Sequence, residues 1–137
     1  MLEEKYIAQQ LLGGTTNHTV VNEIVYKEDT LRVGLHVCRN DEKEKKLNIY
    51  FNYVLSFKNT DESYLLKTIE EQVKHKNFKW GETFYLVENS SYINWFNEQS
   101  VYIPRDTGVA IKHYAIYTSN DCIDILASVS PNIEWLD

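Results

Sequence analysis

The side chains best able to ligate a metal or attack a substrate are four histidines (His18, His36, His75, His113) and two cysteines (Cys38, Cys122). In a strand, alternate side chains share a face. His36 and Cys38 in "LRVGLHV C" therefore lie together, opposite Leu35 and Val37. If the fold brought Cys122 or His113 beside them, a tetrahedral zinc site could form. Nothing in the spacing demands it, since the chain has no C-x-x-C and no H-x-x-x-H pair. Two lone cysteines read as buried free thiols, so no metal and no cofactor is expected. A thiol beside an imidazole is also the kernel of a Cys–His nucleophile. Cys122 stands just past an expected hairpin turn, yet no helix N-terminus or Gly-rich oxyanion loop is recognisable around it. One reading is thus a small-ligand-binding or enzymatic domain with a pocket near His36, His113 and Cys122.

Other chemistries find less support. There is no G-x-S-x-G elbow, and the glycine pair in "LLGGTTNHT" lacks both a preceding strand and a Lys-Ser/Thr. Asp121 and Asp124 read as a solvated turn and strand face, and Glu70 and Glu71 as a solvated helix face. No catalytic residue is assigned.

The aromatic segment "FYLVENSSYINWFNEQSVYI" (84–103) could stack on bases, dock a partner, or pack as core. Base stacking needs exposed rings beside basic residues. Residues 81–103 contain no Lys or Arg but do contain Glu82, Glu88 and Glu98. The whole net charge of −6 falls in residues 81–137, with 8 acidic and 2 basic side chains, against 12 and 12 in residues 1–80. Such an imbalance repels phosphate backbones and attracts basic partners. Nucleic acid is excluded as the partner. Most of the rings should pack, leaving a protein-binding rim of Tyr85, Glu88, Tyr92, Trp95, Glu98 and Tyr102.

A chain of 137 residues suits a single domain, 1–137. It shows no secretory signal, and no apolar run approaches the length of about 20 residues that a membrane helix needs, so a cytoplasmic protein is expected. Residues 2–12 read as a helix ended by Gly13-Gly14. Residues 19–38 read as a hairpin turning at "KEDT", and 39–46 as a charged loop. Residues 47–57 read as one long strand with Leu47, Ile49, Phe51, Tyr53, Leu55 and Phe57 on the core face. A helix follows over 61–76, capped by "NTD", with a Leu65, Ile69, Val73 stripe. Then come a strand at 83–88, a short helix opening at "NSS", and a hairpin of "KHYAIYT" and "CIDILAS" around "SND". The tail leaves the sheet at Pro131, free to lay Ile133 and Trp135 back onto the body. Irregular mixing of strands and helices points to an α+β domain, mostly antiparallel, with two or three helices.

Three stretches, "NHTVVNEIVYKEDTLRVGLHV", "LNIYFNYVLSFK" and "KHYAIYTSNDCIDILASVSPNIEW", carry a resemblance. The first is an early hairpin. The second is a strand ending in V-x-x-F (Val54, Phe57), and the third a closing HY-x-I-x-T-x-N-D hairpin followed by Pro. Together they resemble small bacterial immunity proteins of polymorphic toxin systems. The resemblance implies a non-catalytic protein that binds and blocks a cognate toxin, often a basic nuclease, and it implies no catalytic residues.

Overall fold

The computed structural model describes residues 3–9, 18–38, 43–75, 83–99 and 110–136. Two antiparallel sheets form one core. The first sheet holds β1 (Lys5–Ala8), β6 (Phe84–Glu88), β7 (Lys112–Tyr117), β8 (Asp121–Ala127) and β5 (Val54–Asp61), in that spatial order. The second holds β2 (His18–Lys27), β3 (Thr30–Cys38), β4 (Lys45–Phe51) and β9 (Asn132–Leu136). Among the described residues two helices complete it, α1 (Leu66–Val73) and α2 (Ser91–Gln99). The architecture is α+β and mostly antiparallel, as expected.

The β2–β3 hairpin forms where the alternation places it. Glu28 and Asp29, at φ 51° and 64°, make a two-residue turn whose twist matches the strands. Leu31, Val33, Leu35 and Val37 are buried on the inner face of β3, with Leu47, Ile49 and Phe51 beside them on β4. From the other sheet come Phe84, Tyr114, Ile116, Ile123 and Ile125. Phe51 joins the two layers, its ring centroid 6.4 Å from Phe84 and 5.5 Å from Tyr114.

Residues 47–57 are not one strand. The chain bends at Asn52–Tyr53, with Tyr53 at φ 55°, and passes from the second sheet to the first. Val54 N–H, bonded to the Asp29 carbonyl at 2.9 Å, fixes the crossing. The bend turns Val54 inward and leaves Tyr53 and Leu55 facing outward, and a bulge between Val54 and Ser56 shifts the alternation back so that Phe57 packs against the core. A left-handed residue costs a non-glycine side chain about 1–2 kcal/mol, so a run of strand-forming residues gives no hint of it.

Both ends of the chain also differ from expectation. Residues 5–8 form an edge strand on β6, with Tyr6 opposite Val87. Cross-strand pairing overrides a helical periodicity read over only three turns. Residues 2 and 10–12 of the expected helix lie outside the described residues. The C-terminal segment leaves the first sheet after β8, as expected, but it returns to the body as a strand of the second, β9, paired with β4, with Ile133 opposite Ile49 and Trp135 opposite Leu47. The expected 61–76 helix is shorter. Asp61 caps a 3-10 turn, Glu62–Tyr64, by accepting from Ser63 N–H at 2.9 Å, and α1 then ends at Val73. Leu65 and Ile69 are half-buried, Val73 is exposed, and the buried residue of α1 is Gln72. Its amide accepts from Tyr6 N–H at 3.1 Å and donates to the Glu4 carbonyl at 2.8 Å. A side chain thus completes the open edge of β1, as buried or edge backbone groups require.

Candidate functional site

The densest polar cluster lies on the outer face of the five-stranded sheet, under α2. β6 ends at Glu88, Asn89 turns with φ 55°, and Ser90 caps the helix. The Ser90 hydroxyl accepts from Ile93 N–H at 3.0 Å, as an N-cap does. Glu4, just before β1, supplies a second cap: its carboxylate accepts from Ser91 N–H and from Ser91 Oγ at 2.8 and 2.9 Å. Negative charge at that end also suits the helix dipole.

Below Ser90 stands His113 on β7, and below that Asp124 on β8. Ser90 Oγ lies 2.7 Å from His113 Nδ1, and His113 Nε2 lies 2.7 Å from Asp124 Oδ1. All three residues are buried. One proton arrangement satisfies each of these atoms with a neutral imidazole. The ring donates Nε2–H to Asp124, Ser90 donates its hydroxyl to Nδ1, and Ile93 N–H donates to Ser90. Rings enclose the chain of bonds. Tyr92 meets His113 edge-on at 5.5 Å, and Tyr6 does so at 6.3 Å. Tyr6 and Tyr117 share a hydroxyl–hydroxyl bond of 2.9 Å. Burial, helped by the Asp124 charge, raises both phenols well above the ordinary tyrosine range. Tyr92 reaches across to Ser56 on β5, and Lys58 lies 4.5 Å from its ring centroid.

Ser, His and Asp are also the residue types of a hydrolytic triad. That chemistry needs a hydroxyl open to substrate beside oxyanion donors. Ser90 is 4% exposed, and its oxygen already serves as the cap of α2. What this arrangement does is fasten α2 to the sheet. Cys122 is the reverse of an activated nucleophile: burial, then the Asp124 charge, pushes its thiol up to about 12.

The sandwich separates the residues of the expected pocket. His113 and Cys122 lie on the outer side of the first sheet, since their neighbours Tyr114 and Ile123 face the core. His36 lies on the outer side of the second, since Leu35 and Val37 face the core. No pocket can be shared by His36, His113 and Cys122, because two sheets stand between them. His36 and Cys38 do share a face, with His36 Nδ1 2.6 Å from Glu44 Oε1. His75 ends near Glu3, at 3.9 Å, beside an open polar cleft of about 730 Å³ lined by Glu3, Glu4, Thr68, Glu71, Gln72 and Lys74.

Of the expected binding rim, Tyr85 and Tyr92 are buried. β6 is an inner strand with α2 following over its outer face, so Tyr85 packs with Tyr6, Val87 and Ala115 instead of meeting solvent. Trp95 is 51% exposed, and Glu88 and Glu98 are exposed. Tyr102 lies outside the described residues. Among the described residues the acidic side chains of 81–137 do not gather on one face: Glu134 lies on the second sheet, Asp124 is buried, and Glu88, Glu98 and Asp121 are exposed or half-exposed around the first.

Ser90 and Asp124 were missed as partners of His113. Two signals pointed to them: capping residues just ahead of an aromatic helix, and a lone carboxylate in the otherwise apolar "CIDILA". Compared with family models, with curated proteins and with solved structures, the chain matches none of them. Among the described residues no helix is long and apolar enough to cross a membrane.

Proposed function

We propose that this protein is a non-catalytic binding domain of the immunity type, which covers a basic protein partner with the outer side of α2. The observation that carries this reading is Trp95. Its ring is half-exposed on a helix whose inner side is locked to the sheet, and it rests against Tyr92 with centroids 5.8 Å apart. Glu98 follows one turn later and Glu88 precedes the helix, and α2 carries no Lys or Arg. An aromatic anchor with a carboxylate toward each end of its helix suits an interface with a basic protein. The polar groups that could serve catalysis under α2 are spent on internal hydrogen bonds, which supports binding over chemistry.

The test places a photo-crosslinking amino acid at position 95 of the full chain in its native cell. A single basic protein should be captured, and its affinity for the purified chain should fall as salt rises. Trp95→Ala should weaken that complex by about 30-fold, the scale of an aromatic hot spot. Unchanged affinity in a folded Trp95→Ala protein would remove α2 from the interface.

A further inference from the structure

β2 stands at an edge of the second sheet, and among the described residues no strand pairs with its far side. An open strand edge is a row of unpaired N–H and C=O groups, a template for a further strand. One end of this edge is taken, since the Thr19 carbonyl accepts from Ser119 N–H at 3.1 Å and from Ser119 Oγ at 2.9 Å. A bulge between Val21 and Glu23 then interrupts the strand. What remains open is the stretch "EIVYK", residues 23–27.

The hairpin fixes the backbone phase of this stretch. Lys27 and Thr30 close the two-residue turn, and such a closing pair exchanges its hydrogen bonds across the hairpin. Bonded and non-bonded pairs alternate along antiparallel strands. Val25 therefore also bonds to β3, while Ile24 and Tyr26 aim their N–H and C=O groups at the open edge. The side chains alternate as well. Glu23, Val25 and Lys27 stand opposite Gly34, Arg32 and Thr30 on the outer face, and Ile24 and Tyr26 stand opposite Val33 and Leu31 on the core side. Val25 is 36% exposed and Tyr26 48%. The Tyr26 ring rests on Phe57 of β5, with centroids 5.2 Å apart. Arg32 holds Glu23 in place, and Lys27 makes no ion pair among the described residues.

This stretch is complementary to its own reverse. We propose that two copies of the chain pair antiparallel along residues 23–27, about a two-fold axis at Val25, and join their four-stranded sheets into one continuous sheet. Val25 then faces the partner's Val25. Glu23 faces the partner's Lys27, and Lys27 faces the partner's Glu23, so unlike charges close the interface at both ends. Ile24 faces the partner's Tyr26 on the core side, and these are the pairs whose backbone groups are free to bond across the axis. The contact is isologous, as a two-fold axis requires. A slip of one residue would turn the faces against each other. A slip of two would set Glu23 or Lys27 against Val25, so the charges select one register. A lysine on an edge ordinarily discourages pairing; here a glutamate of the same segment answers it. The pairing makes no use of α2 and is independent of the partner proposed for Trp95.

The experiment is sedimentation equilibrium of the full-length protein over a concentration series. A reversible dimer is expected, weak because the paired segment is short. Glu23→Lys and Lys27→Glu each set like charges face to face at both ends, and each should weaken the dimer at least about tenfold. The double variant Glu23→Lys/Lys27→Glu restores unlike pairs and should recover it, with circular dichroism of all three matching the parent. In the unaltered chain, hydrogen exchange of the Ile24 and Tyr26 amides should slow as the dimer forms. A parent protein that stays monomeric at about 1 mM, where association is worth only about 4 kcal/mol, overturns the proposal. So does a dimer of parental affinity in both single variants, or a double variant that dimerises no better than they do. So do Ile24 and Tyr26 amides that exchange as fast in the dimer as in the monomer.

Discussion

His113 and His36 make nearly the same bond in two different settings. His113 Nε2 lies 2.7 Å from Asp124, with side-chain exposures of 3% and 4%; His36 Nδ1 lies 2.6 Å from Glu44, with exposures of 30% and 48%. The distances are alike and the surroundings are not. On the first sheet, α2 and a shell of tyrosines exclude water, and both nitrogens of His113 have partners. On the second sheet no described helix covers the outer face, and His36 keeps one nitrogen unpartnered. A buried polar pair that loses one member leaves the other stranded in low dielectric. An exposed pair is solvated whether or not it is intact. The first histidine therefore belongs to the fold, and the second contributes little to it.

The largest effect should come from stranding the buried bonds. Asp124→Ala should cost about 1–3 kcal/mol in urea unfolding, since it leaves the buried His113 Nε2–H without its acceptor. Ser90→Ala removes a cap and a partner of His113 together, and should cost about 1–2 kcal/mol. A smaller, pH-dependent effect follows from the raised groups of the first sheet. Their folded values lie above the unfolded ones, so the stability they contribute is whole at neutral pH and drains away as pH rises. Cys122 sets the window, from 9.0 to about 12, with Tyr6 and Tyr117 adding to the loss above 10.0. A thermal-melting series in alkaline buffers reads it, and a flat profile across that window would show that water reaches this face. In the native protein iodoacetamide should modify Cys38 and spare Cys122 until the chain unfolds. The smallest effect is that of Trp95→Ala, which should move stability by no more than about 0.5 kcal/mol while weakening the proposed complex about 30-fold.

Legibility in the sequence followed the same division. The β2–β3 and β7–β8 hairpins, β6 and α2 could be read because local alternation, turn residues and capping serines agree with the tertiary structure. The closing hairpin differs only by one residue, its loop being Thr118–Asn120 with Thr118 N–H bonded to the Asp121 carbonyl. What could not be read depends on distant pairing. Residues 5–8 become a strand because β6 offers an edge, and residues 132–136 do so because β4 offers one. Tyr53 adopts a conformation its side chain disfavours so that β5 can change sheets. Of the site, Trp95 and its glutamates were legible as an exposed aromatic rim, whereas Tyr85 and Tyr92 were not separable from it. Helical or strand spacing does not say which side another layer will cover. Asp124 was misread as solvated for the same reason, because a carboxylate in a strand is wet or buried according to what packs on top.

The most direct measurement is a side-by-side urea unfolding of His113→Ala and His36→Ala. The account predicts that His113→Ala loses about 3 kcal/mol or more, while His36→Ala stays within about 0.5 kcal/mol of the parent protein. Equal losses in the two variants, or a larger loss at His36, would contradict it.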